Sequence, residues 1–144
     1  MRVSLIIPKT KNNKLIIAKR TKDKHPFPNT WVCAVGGKAN DKETFEECAK
    51  REMKEEVNFN ADLIEISTFK HIINNLEWSY KLFTTKIPLE ISQLMPDPVE
   101  IQYLQEFSIK EIDSMIKQNP SQFAPTFIVA FNTIKESSES LASQ

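Results

Sequence analysis

Two adjacent glycines, Gly36-Gly37, are the only glycines in this 144-residue chain. Glycine lets a backbone turn sharply or approach another group closely, so the chain concentrates both capacities at one point. From Gly37 the sequence runs Gly37-x5-Glu43-x7-Arg51-Glu52-Met53-x-Glu55-Glu56-x-Asn58-Phe59. Within it, Thr44 to Val57 is the strongest helical segment of the chain. Thr44-x-x-Glu47 has the form of a capping box, and Asn58 suits a left-handed stop.

The charge pattern of that helix is unusual. Advanced by about 100° per residue, Phe45, Cys48, Ala49 and Met53 form one apolar stripe. Glu52 and Glu56 fall inside the stripe, Glu55 lies on its flank beside Arg51, and Lys50 and Lys54 point to solvent. A solvated Glu-rich helix is the alternative reading; it accounts readily for Glu46 and Glu47, and for Glu52 and Glu56 it must explain two charges inside the apolar stripe. Such carboxylates are costly without compensation, and one turn apart they repel. A divalent cation removes both penalties. Clustered glutamates without a His/Cys set point to Mg²⁺ or Mn²⁺ rather than zinc.

The spacing resembles the Nudix box, G-x5-E-x7-R-E-U-x-E-E-x-G-U with U a bulky apolar residue; the final glycine is replaced by Asn58, and Lys42 stands where a glycine is often found. The resemblance implies an α/β/α sandwich with a mixed β-sheet. It also implies a Mg²⁺- or Mn²⁺-dependent hydrolase that uses water to cut the pyrophosphate linkage of a nucleoside diphosphate derivative. A modified nucleoside triphosphate or a nucleotide sugar is favoured by the short chain. By the same resemblance Glu52, Glu55, Glu56 and the Gly37 carbonyl hold metal. Arg51 orients the glutamates, and Glu43 braces the loop–helix geometry. Glu52 or a neighbour accepts the proton of the attacking water. Lys38 and Gly36 face the substrate phosphates, although Lys38 reads equally well as a loop lysine. Glu100 is either a late ligand or an exposed loop acid. A nucleotide-binding module without activity and an isopentenyl-diphosphate-isomerase-like enzyme are the competing readings; the intact glutamate set favours the hydrolase.

The remaining chain is expected to supply the scaffold. Val3–Ile7 and Leu15–Lys19 read as a hairpin across a polar turn. Trp31–Val35 reads as one short strand, and Leu63–Ile73 with Leu76–Ile87 as a second hairpin around Asn74-Asn75. The stretch holding Pro88, Pro96 and Pro98 reads as a loop. Ser108-x-x-Glu111 opens a helix ended by Asn119-Pro120, and Pro125 begins the last one. The order gives an α/β (α+β) domain over residues 1–136, with a polar, frayed tail over 137–144.

Composition narrows the partners. Nineteen basic and nineteen acidic residues balance, which gives no general case for nucleic acid or a membrane surface. No apolar run approaches the ~18 residues of a membrane span. Cys33 and Cys48, the only cysteines, make no disulfide framework and read as buried fillers in a cytoplasmic protein. The expected partner is a small diphosphate substrate, with the chain acting as a monomer or homodimer. His25 and His71 lack motif partners. Phe27, Trp31, Trp78 and Tyr80 serve either a core or a stacked base.

Overall fold

The apolar strands of this chain are apolar on both faces, so they need cover on both sides. A computed structural model describes the backbone of residues 1–142 and the side chains of residues 1–138. In it, β1 (Arg2–Ile6), β2 (Lys14–Arg20), β3 (Trp31–Cys33) and β4 (Val35–Lys38) lead to α1 (Phe45–Val57). Then come β5 (Leu63–Ile73), β6 (Leu76–Thr85), a single 3-10 turn at Ile91–Gln93 and β7 (Ile101–Ser108). A helix α2 (Ile109–Gln118), a second 3-10 turn at Pro120–Gln122 and α3 (Pro125–Ala142) complete the order.

Two sheets form. One is mixed, in the order β4-β1-β6-β5, with β1 parallel to β6; the other is antiparallel, in the order β3-β2-β7. Alternate residues feed two cores. Leu5, Ile7, Leu15, Ile17, Tyr80 and Leu82 pack with Phe127, Phe131 and Ile134 of α3. Ile6, Ile16, Ala18, Val35 and Phe83 pack with Ala49, Met53 and Val57 of α1. The layering is therefore α/β/α. Met53 and Val57 are fully buried, each contributing about 1.5–3 kcal/mol to the docking of α1.

Several expectations change. β1 and β2 are not a laddered hairpin; they belong to different sheets, and only the Lys9–Leu15 bridge joins their ends. The wish of each strand to bury both faces is met by separate partners. The expected strand over Trp31–Val35 splits at Ala34, and its second half carries both glycines into the mixed sheet. Ile101–Ser108, for which the sequence pattern signals no element, is β7, which pairs with β2 along its length. Alternation there is masked by Gln102, Gln105 and Glu106. The β5–β6 hairpin is as expected, with Asn74 and Asn75 at φ 51° and 65°. α3 continues to Ala142, past the start of the expected tail, whose last two residues lie outside the described residues.

Candidate active site

The carboxylate helix is fixed at its start. Thr44 Oγ1 accepts from the Glu47 amide at 3.0 Å, and Glu47 Oε1 accepts from the Thr44 amide at 2.9 Å. Arg2 donates to the carbonyls of Glu43 (2.6 Å) and Asn40 (2.8 Å), and Ser4 Oγ to that of Phe45 (2.6 Å). These bonds tie the loop after β4 to β1. At the far end Asn58 takes the left-handed conformation, φ 52°, and its amide donates to the Lys54 carbonyl. Asn58 thus does the work of the glycine expected there.

Arg51 organises the acids. Its Nε donates to Glu43 Oε2 at 2.7 Å and its Nη2 to Glu43 Oε1 at 2.9 Å, a two-pronged fork of the geometry that suits guanidinium and carboxylate. Nη2 also reaches the Lys38 carbonyl at 3.1 Å, while Nη1 donates to Glu52 (2.9 Å) and Glu55 (3.3 Å). The Arg51 hydrogen bonds, joined by the Asn40 amide, hold the Glu43 carboxyl down at about 2. Glu43 is therefore a fixed anion that orients Arg51.

Glu56 and Glu52 behave oppositely. Burial pushes Glu56 up to about 8, against the Gly36 N–H that donates to it at 3.0 Å. The charges of Glu52, Glu100 and Glu55 push it further the same way. Burial also raises Glu52, partly offset by Arg51. The charges of Glu55 and Glu100 thus act on both carboxyls in the same direction.

The glycines explain the close packing. Neither has positive φ, so neither is needed for a left-handed turn, contrary to one half of the sequence argument. Gly37 is needed for approach: a Cβ there would collide with the Glu52 side chain, standing 2.6 Å from its Cγ and nearer still to its carboxyl group. At Gly36 a Cβ would meet Leu5 Cδ2 at 3.0 Å. The Gly37 carbonyl accepts from the buried Cys48 thiol at 3.5 Å.

The donor chemistry of Glu52, Glu55, Glu56 and Glu100 fits a hard divalent cation: all are oxygen donors, and two resist ionisation where they stand. As placed, Glu52 and Glu55 lean on Arg51 and Glu56 on the Gly36 amide. Among the described residues no three His, Cys, Asp or Glu side chains stand together as a ready metal cage. Gathering round an ion requires these side chains to leave their present partners.

A cleft of about 1060 Å³ opens beside the acids, lined by Gly36, Gly37, Lys38, Glu56 and Glu100 at one end. Glu100 is paired with Lys24 at 2.7 Å. Lys38 is exposed, with its Nζ 5.7 Å from the Trp78 ring. Of the aromatic candidates, Phe27, Trp78 and Tyr80 line the cleft, whereas Trp31 is buried edge-on against Tyr103 and Phe107. Lys24 and Ile73 were missed. Lys24 had no motif, and Ile73 looked like an ordinary strand end.

The chain matches the model of the NUDIX domain over residues 1–127. It belongs to the Nudix family. It is 26% identical over 125 residues to a prenyl-diphosphate phosphatase of Methanosarcina mazei, covering 86% of this chain and 73% of that one. The MutT protein structure from Methanosarcina mazei Go1 has a TM-score of 0.75 at 14% identity, covering 95% of this chain and 94% of that one. The NUDIX domain of Shewanella oneidensis NrtR, solved with ADP-ribose, has a TM-score of 0.71 at 12% identity, covering 94% and 86%. These likenesses establish the Nudix fold, and the chain is a Nudix-family hydrolase. No helix among its described residues is long and apolar enough to cross a membrane.

Proposed function

We propose that this hydrolase uses Mg²⁺ or Mn²⁺ to cleave the diphosphate linkage of a small organic diphosphate, acting as a single domain over residues 1–136. The observation that carries the reading is the packing of Glu52 and Glu56 against Gly36-Gly37, bracketed by the Arg51–Glu43 fork and opening on a cleft. Glu52, Glu55 and Glu56 would hold the metal, with the Gly37 carbonyl available after release of the Cys48 thiol. When bound, such an ion supplies polarisation of a phosphoryl oxygen and a water of lowered pKa. Arg51, itself fixed by Glu43, orients Glu52 and Glu55. Water oxygen bonds to phosphorus, a bridging P–O bond breaks, and Glu52 or a neighbouring glutamate accepts the proton. Lys38 and the Gly36 backbone flank the phosphates, and Glu100, which lines the same cleft, is a further contact.

For the organic half, the first reading is a nucleoside, as in a modified nucleoside triphosphate or a nucleotide sugar. A prenyl group is the second, favoured by the apolar cleft wall and by the relative named for prenyl diphosphates. A panel of both substrate types, incubated with Mg²⁺, tests the activity. Release of phosphate or a monophosphate that requires metal supports the reading. Binding of nucleotides without any turnover would identify a silent binding module. Double-bond isomerisation without phosphate release would identify an isomerase-like enzyme.

A further inference from the structure

Ladder register arranges one face of the mixed sheet in rows leading away from the acids. The first row holds Gly36, Leu5 and Leu82; the second Lys38, Val3 and Tyr80; the third Trp78 and His71; the last Ile73 and Leu76. Rows are two residues apart, so the first and third are separated by about 13 Å and the last lies about 20 Å away. Glu56 binds the Gly36 amide at the starting row. Of these rows Leu5, Val3, Tyr80, Trp78 and Ile73 line the cleft, as do Val32 and Pro125, whereas Leu82 is fully buried in the core.

The outer end of this track carries exposed apolar side chains: Ile73 is 38% exposed and the adjacent Ile72 69%. Phe27, 49% exposed, lines the same cleft from the loop that Lys24 ties to Glu100. Phe27 also holds φ 60°, a conformation costly for a bulky residue and found where the surroundings impose it. The surroundings here do so: Thr30 Oγ1 donates to the Phe27 carbonyl at 2.7 Å, and Arg20 donates to the carbonyls of Lys24 and His25. Of the cations near the track, Arg20 is engaged with those carbonyls and Lys24 with Glu100, while Lys38, in the second row beside the acids, lies with its Nζ 5.7 Å from the Trp78 ring. A cleft with acids at one end and exposed hydrocarbon at the other suits an amphiphile.

We propose that this track binds the organic half of the substrate as an extended hydrocarbon chain, with Phe27, Trp78 and Ile73 determining specificity. The proposal rests on the diphosphate-hydrolase reading and selects a hydrocarbon-chain diphosphate over a nucleoside diphosphate.

A homologous series of linear alkyl diphosphates tests it. In the unmodified protein with Mg²⁺, kcat/KM should rise about three- to fourfold per methylene and level off when the chain outruns the track. Phe27→Ser and Ile73→Ser, both at exposed positions and checked for folding by circular dichroism, should at least halve the slope of log(kcat/KM) against chain length. A flat series, or ADP-ribose turned over better than every alkyl diphosphate, overturns the proposal. So does a protein whose dimerisation is abolished by these variants, because a second copy would then explain the exposed apolar side chains. Calorimetric binding of the same series separates the two readings. Length-dependent binding without turnover retains the track and refutes hydrolysis, whereas turnover without length dependence does the reverse.

Discussion

Gly37→Ala isolates the feature on which the site geometry turns. The backbone accepts alanine at this position, because Gly37 has no positive φ. The new methyl group would stand 2.6 Å from Glu52 Cγ and nearer still to the carboxyl. Ordinary carbon contact needs about 3.5 Å, so the Glu52 side chain must retreat by about 1 Å or more. Misplacement on that scale costs roughly 100-fold in rate, equivalent to about 2.7 kcal/mol of barrier. Stability should change far less, since alanine at a compatible position gains about 0.4–1 kcal/mol through the unfolded chain and the crowding is relieved at a partly exposed carboxylate. The assay is kcat and KM for diphosphate hydrolysis at saturating Mg²⁺, beside a thermal melt. Gly36→Ala is the comparison: its methyl meets the side-chain end of Leu5 at 3.0 Å and the Ser4 carbonyl at an ordinary 3.9 Å, neither of them an acid of the site, and its loss should stay below about tenfold. A Gly37→Ala enzyme with unaltered kcat would refute the claim that Glu52 must lie against a bare backbone.

Other perturbations have defined signs. Glu56 has its folded pKa raised from 4.5 to about 8; below 4.5 both states are protonated, and through the window to 8 the unfolded state ionises first. Metal-free stability should therefore fall across that window by a few kcal/mol; urea melts of Glu56→Gln should show this slope removed and activity lost. Arg51→Lys cannot reproduce the fork to Glu43, and should lower metal affinity or kcat about 10- to 100-fold, measured by Mg²⁺ titration of turnover. Asn58→Val places a β-branched residue at φ 52°; it should cost about 1–2 kcal/mol, seen as a melting point lower by roughly 3–8 °C, whereas Asn58→Gly should be tolerated.

Local chemistry was legible in the sequence. Both capping boxes, the Asn58 stop and the Asn74-Asn75 turn form as their residue types dictate, because each depends on bonds within a few residues. Partner choice was not. β1 and β2 read as a hairpin since they are adjacent and apolar, but burial of both faces sends them to different sheets. β7 was hidden because three polar residues interrupt its apolar pattern while its pairing with β2 is set from 80 or so residues away. At the site, helix periodicity placed Glu52 and Glu56 on the packed face, and the structure puts both there. The role of Gly37 was only half visible: a sequence shows that glycine is present, not which side chain occupies the space its missing Cβ leaves. The Lys24–Glu100 pair and the exposed apolar lining depend on loops brought together by the fold, and no spacing rule signals either.

The central claim is that the acids beside Gly36-Gly37 form a divalent-metal site. Thermal unfolding at pH 8 with increasing Mg²⁺ tests it directly, because binding to the folded state raises stability in proportion to the logarithm of metal concentration. The unmodified protein should show a saturable rise in melting temperature. Glu52→Gln and Glu56→Gln should show little or none, while each should be at least as stable as the unmodified protein without metal. An equal rise in all three proteins would contradict the account.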